Sequence, residues 1–331
     1  MTPRIPGVPT TILVAPDSFK GTLSASQVAT AIGRGLEAAG RPVDLCPVAD
    51  GGEGTLDALL PAIEGERQTA TVSDPLGRPV EAAYAVGSDV AVVEMAAASG
   101  LGLVAPDERD PVAATTFGTG ELIVAAVQAG AEVVYLGVGG SATTDGGSGA
   151  IRAIHEGGGL GDARIVVLTD VRTPFEQAAR VFGPQKGADE ATVARLTKRL
   201  NDQARRLARD PRGVPMTGAA GGLSGGLWAE FGAELVPGAQ FILDAVDFDR
   251  RMRAARAVVT GEGKLDQQSL AGKLVAEIST RARQAGVPCH AIVGTRELDS
   301  FGVRVLDLQA VLEASTPRQI SAAARRLSDV L

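Results

Sequence analysis

The feature that most constrains this chain is a recurring junction. Short Val/Ile/Leu/Ala runs break into turns of glycine, hydroxyl and charged residues, and Ala-rich stretches with helical spacing follow. Thr11–Ala15, Pro42–Val48, Val133–Leu136, Ile165–Thr169 and Val258–Thr260 read as strands, buried where the run is continuous. Ser24 is a cap for a helix in which Val28, Ile32 and Leu36 recur every fourth position, and Gly40 ends it. A helix through Leu56, Leu59 and Leu60 follows the second strand, and Thr116–Ala129 reads as another. From Ala257 the same rhythm returns, with a helix through Leu274 and Ile278, strands at Ala291–Val293 and Val303–Leu306, and a final helix. Strand–helix alternation of this kind predicts a parallel sheet covered by helices.

Between Gln68 and Glu94 the pattern changes to short strands joined by tight turns such as Asp74-Pro75-Leu76-Gly77, which predicts antiparallel pairing. The expected fold class is therefore α/β with two domains, as suits 331 residues. Residues 1–65 and 246–331 would form a discontinuous Rossmann-like parallel-sheet domain, and 66–245 an inserted α/β domain with a mixed sheet.

Composition removes several classes of function. A net charge of −7 argues against a protein that grips a phosphate backbone, and 3% aromatic residues are too few for a base-stacking surface. The cations Arg195, Lys198, Arg199, Arg205, Arg206 and Arg209 on the helix expected over Ala191–Arg209 read as its solvated face. Cys46 and Cys289 sit in apolar runs without CxxC partners and read as buried structural thiols. Cys289 and His290 are neighbours on a strand and point to opposite faces, which excludes a nucleophile pair. His155 reads as a helix-end residue, and two histidines cannot supply a zinc motif. Met1–Thr10 lacks the apolar core of a signal peptide, and the apolar stretch Met95–Ala105 is too short to span a bilayer. The expectation is a cytoplasmic protein with neither membrane nor nucleic-acid partner.

Four turns share one design. They are Asp17-Ser18-Phe19-Lys20-Gly21-Thr22, Asp50-Gly51-Gly52-Glu53-Gly54-Thr55, Gly137 to Gly147, and Gly261-Glu262-Gly263-Lys264-Leu265-Asp266. Glycine lets backbone N–H groups approach an anion, lysine supplies a point charge for phosphate, and carboxylates hold Mg²⁺ or accept a hydroxyl proton. That is the equipment of phosphoryl transfer. Lys20 lies where a helix dipole disfavours a cation, which points to an anionic ligand. Gly137-Val138-Gly139-Gly140-Ser141-Ala142 also matches a dinucleotide fingerprint, so a nicotinamide-dependent dehydrogenase of a small hydroxy acid competes. Gly221-Gly222-Leu223-Ser224-Gly225-Gly226 fits a hinge, a phosphate loop or a tight packing surface equally.

At these residues the chain resembles the bacterial type I glycerate kinases. The likeness rests on Ala15–Gly21, Val48–Thr55, Gly139-Gly140-Ser141-Ala142-Thr143-Thr144-Asp145-Gly146-Gly147, Val181-Phe182-Gly183-Pro184-Gln185-Lys186-Gly187-Ala188 and Thr260–Asp266, in the family's order. Two departures are Thr144, where the family usually has Asn, and a shortened Ile154–Ile165 segment. The resemblance implies ATP- and Mg²⁺-dependent phosphorylation of D-glycerate, 2-phosphoglycerate as the usual product, and an active site in a cleft between two α/β domains. Small-molecule substrates would be the partners, and a homodimer is compatible with them. Within that frame Asp17, Lys20 and Asp50 are the catalytic candidates, with either aspartate able to orient or deprotonate the hydroxyl. Ser18, Glu53 and Thr55 are substrate candidates, and Gly139, Gly140, Ser141, Thr143, Lys186 and Lys264 are ATP-phosphate candidates. Asp145 and Asp266 are the metal candidates. A non-catalytic sugar-acid sensor on a kinase-like fold is the remaining alternative.

Overall fold

The computed structural model describes residues 10–271 and 273–331. In chain order its strands are β1 (Ile12–Pro16), β2 (Val43–Leu45), β3 (Glu66–Ser73), β4 (Pro79–Val86), β5 (Val90–Glu94), β6 (Val133–Gly137), β7 (Arg164–Leu168), β8 (Glu234–Val236), β9 (Ala257–Gly261), β10 (Lys264–Leu265), β11 (Cys289–Val293), β12 (Thr295–Arg296) and β13 (Leu308–Glu313). The chain through Asp50 joins Ala239–Leu331 as one compact unit, and Gly51–Gly238 forms the other. Both crossings come earlier in the sequence than the change of pattern suggests, the first inside the Asp50–Gly51 turn itself.

The five-stranded sheet of the first unit is parallel throughout, in the order β13-β11-β9-β1-β2. The alternation of apolar residues along β1 explains why. Leu13 and Ala15 enter one core with Val258, Ala291 and Val293, while Ile12 and Val14 enter another with Val259 and Ile292. A sheet buried on both faces needs helices on both, and parallel crossovers supply them. The helix Ala25–Glu37 starts in a capping box, where Ser24 accepts from the Gln27 N–H and the Ser24 N–H donates to the Gln27 side chain. Winding reverses between β1 and β9, and this switch point is where open α/β sheets bind ligands.

One expected strand is corrected. Val303–Leu306 is not a strand: Asp299 caps a short helix over Ser300–Val305 by accepting from the Gly302 N–H, and the chain extends only afterwards as β13. Strand β2 ends at Leu45, yet its hydrogen bonds to β1 run on through the Cys46 and Val48 N–H groups, matching the longer run.

The second unit holds a mixed sheet in the order β3-β4-β5-β6-β7-β8. Its β3–β4 and β4–β5 pairs are antiparallel and the rest parallel. Asp74 shapes the first hairpin turn by accepting from the Leu76 and Arg78 N–H groups at 2.8 and 2.9 Å. Cys46 and Cys289 are buried free thiols, and among the described residues no helix is long and apolar enough to cross a membrane.

The helix Ala25–Glu37 packs closely on the C-terminal helix Pro317–Leu327. A Cβ on Gly35 would lie 2.2 Å from the Ser321 carbonyl oxygen and 2.7 Å from the Ala324 Cβ. Gly35→Val should therefore force the two helices apart and cost roughly 1–3 kcal/mol, read as a lower denaturant midpoint with the m-value unchanged.

Candidate functional site

In the first unit, turns that follow β1, β2, β9, β11 and β13 open on one cavity of about 400 Å³. It is lined by Asp17, Ser18 and Lys20 from the first turn, Asp50 from the second, and Glu262, Lys264 and Asp266 from the third. Lys273, Leu274 and Val275 complete it from the start of the helix Leu274–Ala285, whose N-terminus has no side-chain cap. The first turns of such a helix leave N–H groups unpaired, which favours an anion there. Two of these turns approach backbone to backbone: a Cβ on Gly294 would sit 2.4 Å from the Gly263 carbonyl oxygen.

Charge in this cavity is concentrated around Lys20. Its ammonium lies 3.4 Å from Asp50 Oδ2, and Asp50, ahead of Asp17 and Glu262, holds its pKa above the usual lysine value. Asp17 is 5% exposed and accepts from the Ser18 N–H at 2.7 Å. Burial, then the nearby Asp50 carboxylate, raises the Asp17 acid well above the ordinary carboxylate range. Glu262 accepts from the Ser269 hydroxyl at 2.7 Å, and burial pushes its pKa to about 7. The Ser18 hydroxyl is fully enclosed and, among the described residues, has no hydrogen-bond partner. Lys264 is half exposed and pairs with Glu297 at 2.9 Å, with Asp266 farther at 3.8 Å.

The second unit holds the other candidates, gathered around the turn after β6. Gly139 must be glycine: its Cβ would stand 2.5 Å from the Gly52 Cα, and its N–H donates to the Gly51 carbonyl. Lys186 is 1% exposed, and its ammonium donates to the Ser141 hydroxyl at 2.8 Å and to the Thr143 carbonyl. Burial pulls its pKa down to about 7. Asp145 accepts from the N–H groups of Thr116, Gly147 and Gly149 and from the Thr116 hydroxyl, so its carboxylate organises the turn and the start of the helix Ser148–Glu156. Thr55 donates its hydroxyl to the Gly52 carbonyl at 2.7 Å within its own turn, and Glu53 is exposed. The glycines at 221–226 are resolved as a packing surface. Gly221 stands against the Thr143 carbonyl and Gly226 against that of Gly146. The dinucleotide reading of Gly137–Ala142 finds no helix in place, because the next one starts only at Ser148, well past the third small residue of the fingerprint.

Sequence reasoning missed two groups. Glu262 stands inside one of the four turns, between two glycines, and only its burial singles it out. Arg199, read as solvated, instead donates to the carbonyls of Val112 and Thr144 at 2.8 and 2.7 Å. No periodicity could distinguish it from the five other cations expected on that helix.

The Mg²⁺ implied by the resemblance needs only hard oxygen donors, typically one or two carboxylates completed by phosphates and water. Among the described residues no group of three or more His, Cys, Asp or Glu side chains is arranged to hold a metal ion.

Comparison with known proteins gives a concordant picture. The model of the glycerate kinase family matches residues 12–157 and 157–330. A glycerate kinase of Halalkalibacterium halodurans is 40% identical over 324 residues, covering 86% of this chain and 85% of that one. The glycerate 2-kinase of Escherichia coli is 38% identical over 344 residues, covering 92% and 90% respectively. A crystal structure from Salmonella typhimurium LT2, described as a glycerate kinase 2, superposes with a TM-score of 0.81 at 34% identity and covers 97% of this chain and 98% of that one.

The raised Glu262 acid has a definite sign in stability. A folded pKa of about 7 exceeds the unfolded value of 4.5, so the proton is held more tightly in the folded state. The resulting stabilisation is complete below the unfolded pKa and is lost as pH rises through about 7. Glu262→Gln should therefore raise the melting temperature more at pH 8 than at pH 5; an equal effect at both would place the carboxylate in water.

Proposed function

The chain belongs to the glycerate kinase family, and we propose on that premise that it transfers the γ-phosphoryl group of ATP to a hydroxyl of D-glycerate, giving 2-phosphoglycerate. The observation that carries this reading is the meeting of Asp17, Lys20 and Asp50, beside the unpartnered Ser18 hydroxyl, at the switch point of a parallel sheet. An enclosed hydroxyl, an ammonium and two carboxylates can bind a small hydroxy acid and receive its proton.

Asp17 is the better placed base. A carboxylate whose pKa is raised by burial and by a neighbouring carboxylate is a stronger proton acceptor than a solvated one. Asp50 then serves mainly to hold Lys20 in place, and Lys20 faces the substrate carboxylate. The attacking oxygen keeps its proton until the phosphoryl group is close, and the Asp17 carboxylate takes it as the new P–O bond forms and the bond from the γ-phosphorus to the departing ADP oxygen breaks. Lys264 and the uncapped start of the helix Leu274–Ala285 add positive potential to the same cavity. In the second unit Gly140 and Ser141, with Lys186 behind them, are the remaining candidates for the nucleotide phosphates, since the Gly139 N–H is taken by the Gly51 carbonyl and Thr143 is fully buried. Asp266 would hold Mg²⁺, which when bound would neutralise charge on the phosphates; the Asp145 carboxylate already accepts five hydrogen bonds from the described residues. Transfer then proceeds by positioning and charge neutralisation, as phosphoryl transfer generally does. A cytoplasmic, organic-acid role follows from this substrate.

Incubation with Mg²⁺, ATP and D-glycerate should yield ADP and 2-phosphoglycerate, identified by ³¹P NMR; 3-phosphoglycerate would overturn the regiochemistry, and no product would overturn the whole reading. Asp17→Asn should lower kcat by roughly 10²–10⁴-fold, the usual contribution of a general base, with the KM for ATP unchanged. Lys20→Ala with wild-type kcat and KM would remove that lysine from the mechanism.

A further inference from the structure

D-Glycerate carries three polar groups, and the reading above, on which this inference rests, provides for two of them. Lys20 faces the carboxylate, and Asp17 takes the proton of the hydroxyl that attacks. The remaining hydroxyl also leaves water, and without a new partner it costs binding free energy. The cavity of the first unit is lined by four carboxylates, Asp17, Asp50, Glu262 and Asp266. Asp17 is the base, and Asp50 is tied to Lys20 at 3.4 Å. Asp266 accepts from the Gln268 N–H at 2.8 Å and stands 3.8 Å from Lys264. Glu262 alone has no task in the transfer.

Its carboxyl is nevertheless fixed in place. The Asp17 N–H donates to the Gly261 carbonyl at 2.8 Å, and the Gly294 N–H donates to the Glu262 carbonyl at 3.0 Å. The backbone at Glu262 is thereby tied to the turns after β1 and β11. At the far end of the side chain, the buried Ser269 hydroxyl accepts from the Asp266 N–H at 3.1 Å and donates to Glu262 Oε1 at 2.7 Å. A hydroxyl has one hydrogen, so these two contacts fix which way Ser269 points. Glu262 Oε2 accepts from none of the described residues, and the side chain lines the cavity while half-buried. Burial dominates the raised pKa of Asp17 and Asp50 that of Lys20, and Glu262 adds to both, which sets it within electrostatic reach of the two. Burial also pushes the Glu262 acid to about 7, so an ionised carboxylate here works against folding. An acceptor with one oxygen held and the other open to a cavity is built to bind a donor.

We propose that Glu262 is the specificity-determining residue of this cavity: its free oxygen accepts a hydrogen bond from the substrate hydroxyl that is not phosphorylated, so that 2,3-dihydroxy acids are taken and their deoxy analogues rejected. Ser269 is its positioning residue. An analogue without that hydroxyl leaves the buried acceptor unpaired, and such sites discriminate more sharply than an apolar pocket does.

The test measures kcat/KM with Mg·ATP for D-glycerate and for D-lactate, its 3-deoxy analogue of the same configuration. Wild type, Glu262→Leu, Glu262→Gln and Ser269→Ala are compared. Where D-lactate is not turned over, its Ki against D-glycerate takes the place of kcat/KM. Glu262→Leu should narrow the preference for D-glycerate by about 10- to 100-fold, the loss expected for one hydrogen bond to a charged group. Most of that change should lie in the KM for D-glycerate. Glu262→Gln keeps an acceptor of the same size and Ser269→Ala keeps the carboxyl, so each should narrow the preference less. KM for ATP and the Mg²⁺ concentration giving half the maximal rate should stay at the wild-type values. An unchanged preference in Glu262→Leu overturns the proposal, and so does a raised Mg²⁺ requirement, which assigns the carboxylate to the metal. If Glu262→Leu does not fold, Glu262→Gln decides by the same ratio. A wild type that does not phosphorylate D-glycerate overturns the reading above and this proposal with it. One that does, with the same preference in every variant, overturns only the role of Glu262.

Discussion

In a parallel sheet every crossover brings the chain back to the same end, so the carboxyl ends of all strands collect along one edge. The first unit is organised by this constraint. Its turns come from widely separated parts of the sequence, around residues 17, 50, 262, 294 and 315, yet all border a single cavity. The double-sided burial of β1, with alternate residues in two cores, is what fixes the register of the central strands and hence the height of each turn. A slip of one residue would turn Leu13 and Ala15 out of their core and carry Asp17 away from Lys20 and Asp50.

Electrostatics sets the character of that cavity. Asp17, Asp50, Glu262 and Asp266 face Lys20, Lys264 and Lys273, an excess of acid in a place proposed to receive anions. Burial relieves the conflict by raising the Asp17 and Glu262 acids, so the cavity need not carry its full negative charge. The chain as a whole is also acidic, and the local lysines have to outweigh that field at short range. In the second unit the cations Lys186 and Arg199 are withdrawn behind the turn after β6 and donate to its carbonyl oxygens.

Much of the fold was legible because its signals are local. The capping box at Ser24, the hairpin turn at Asp74 and the alternation along β1 each involve residues a few positions apart. The strand expected at Val303–Leu306 failed for an equally local reason: the Asp299 cap, which competes for the same residues, was not weighed against a short apolar run. The four chemical turns were recognisable from composition, since strand ends rich in glycine, hydroxyl and charge are rare. Their internal division of labour was not. Thr55 and Asp145 read as ligands and have hydrogen-bond partners within their own turns or the adjacent helix, whereas Glu262 and Arg199 read as ordinary and are partly withdrawn from water.

By itself, then, the amino-acid order determined the α/β class, the parallel and antiparallel regions, and which turns could carry chemistry, because propensity, periodicity and capping act over a few residues. Tertiary structure alone decided which of those groups meet and which are buried. Lys20 meets Asp50 across 30 residues and Lys186 meets Ser141 across 45. Whether a lysine stands in water or beneath a turn depends on the packing of distant segments, and desolvation, which sets its charge and its role, leaves no trace in the residues on either side of it.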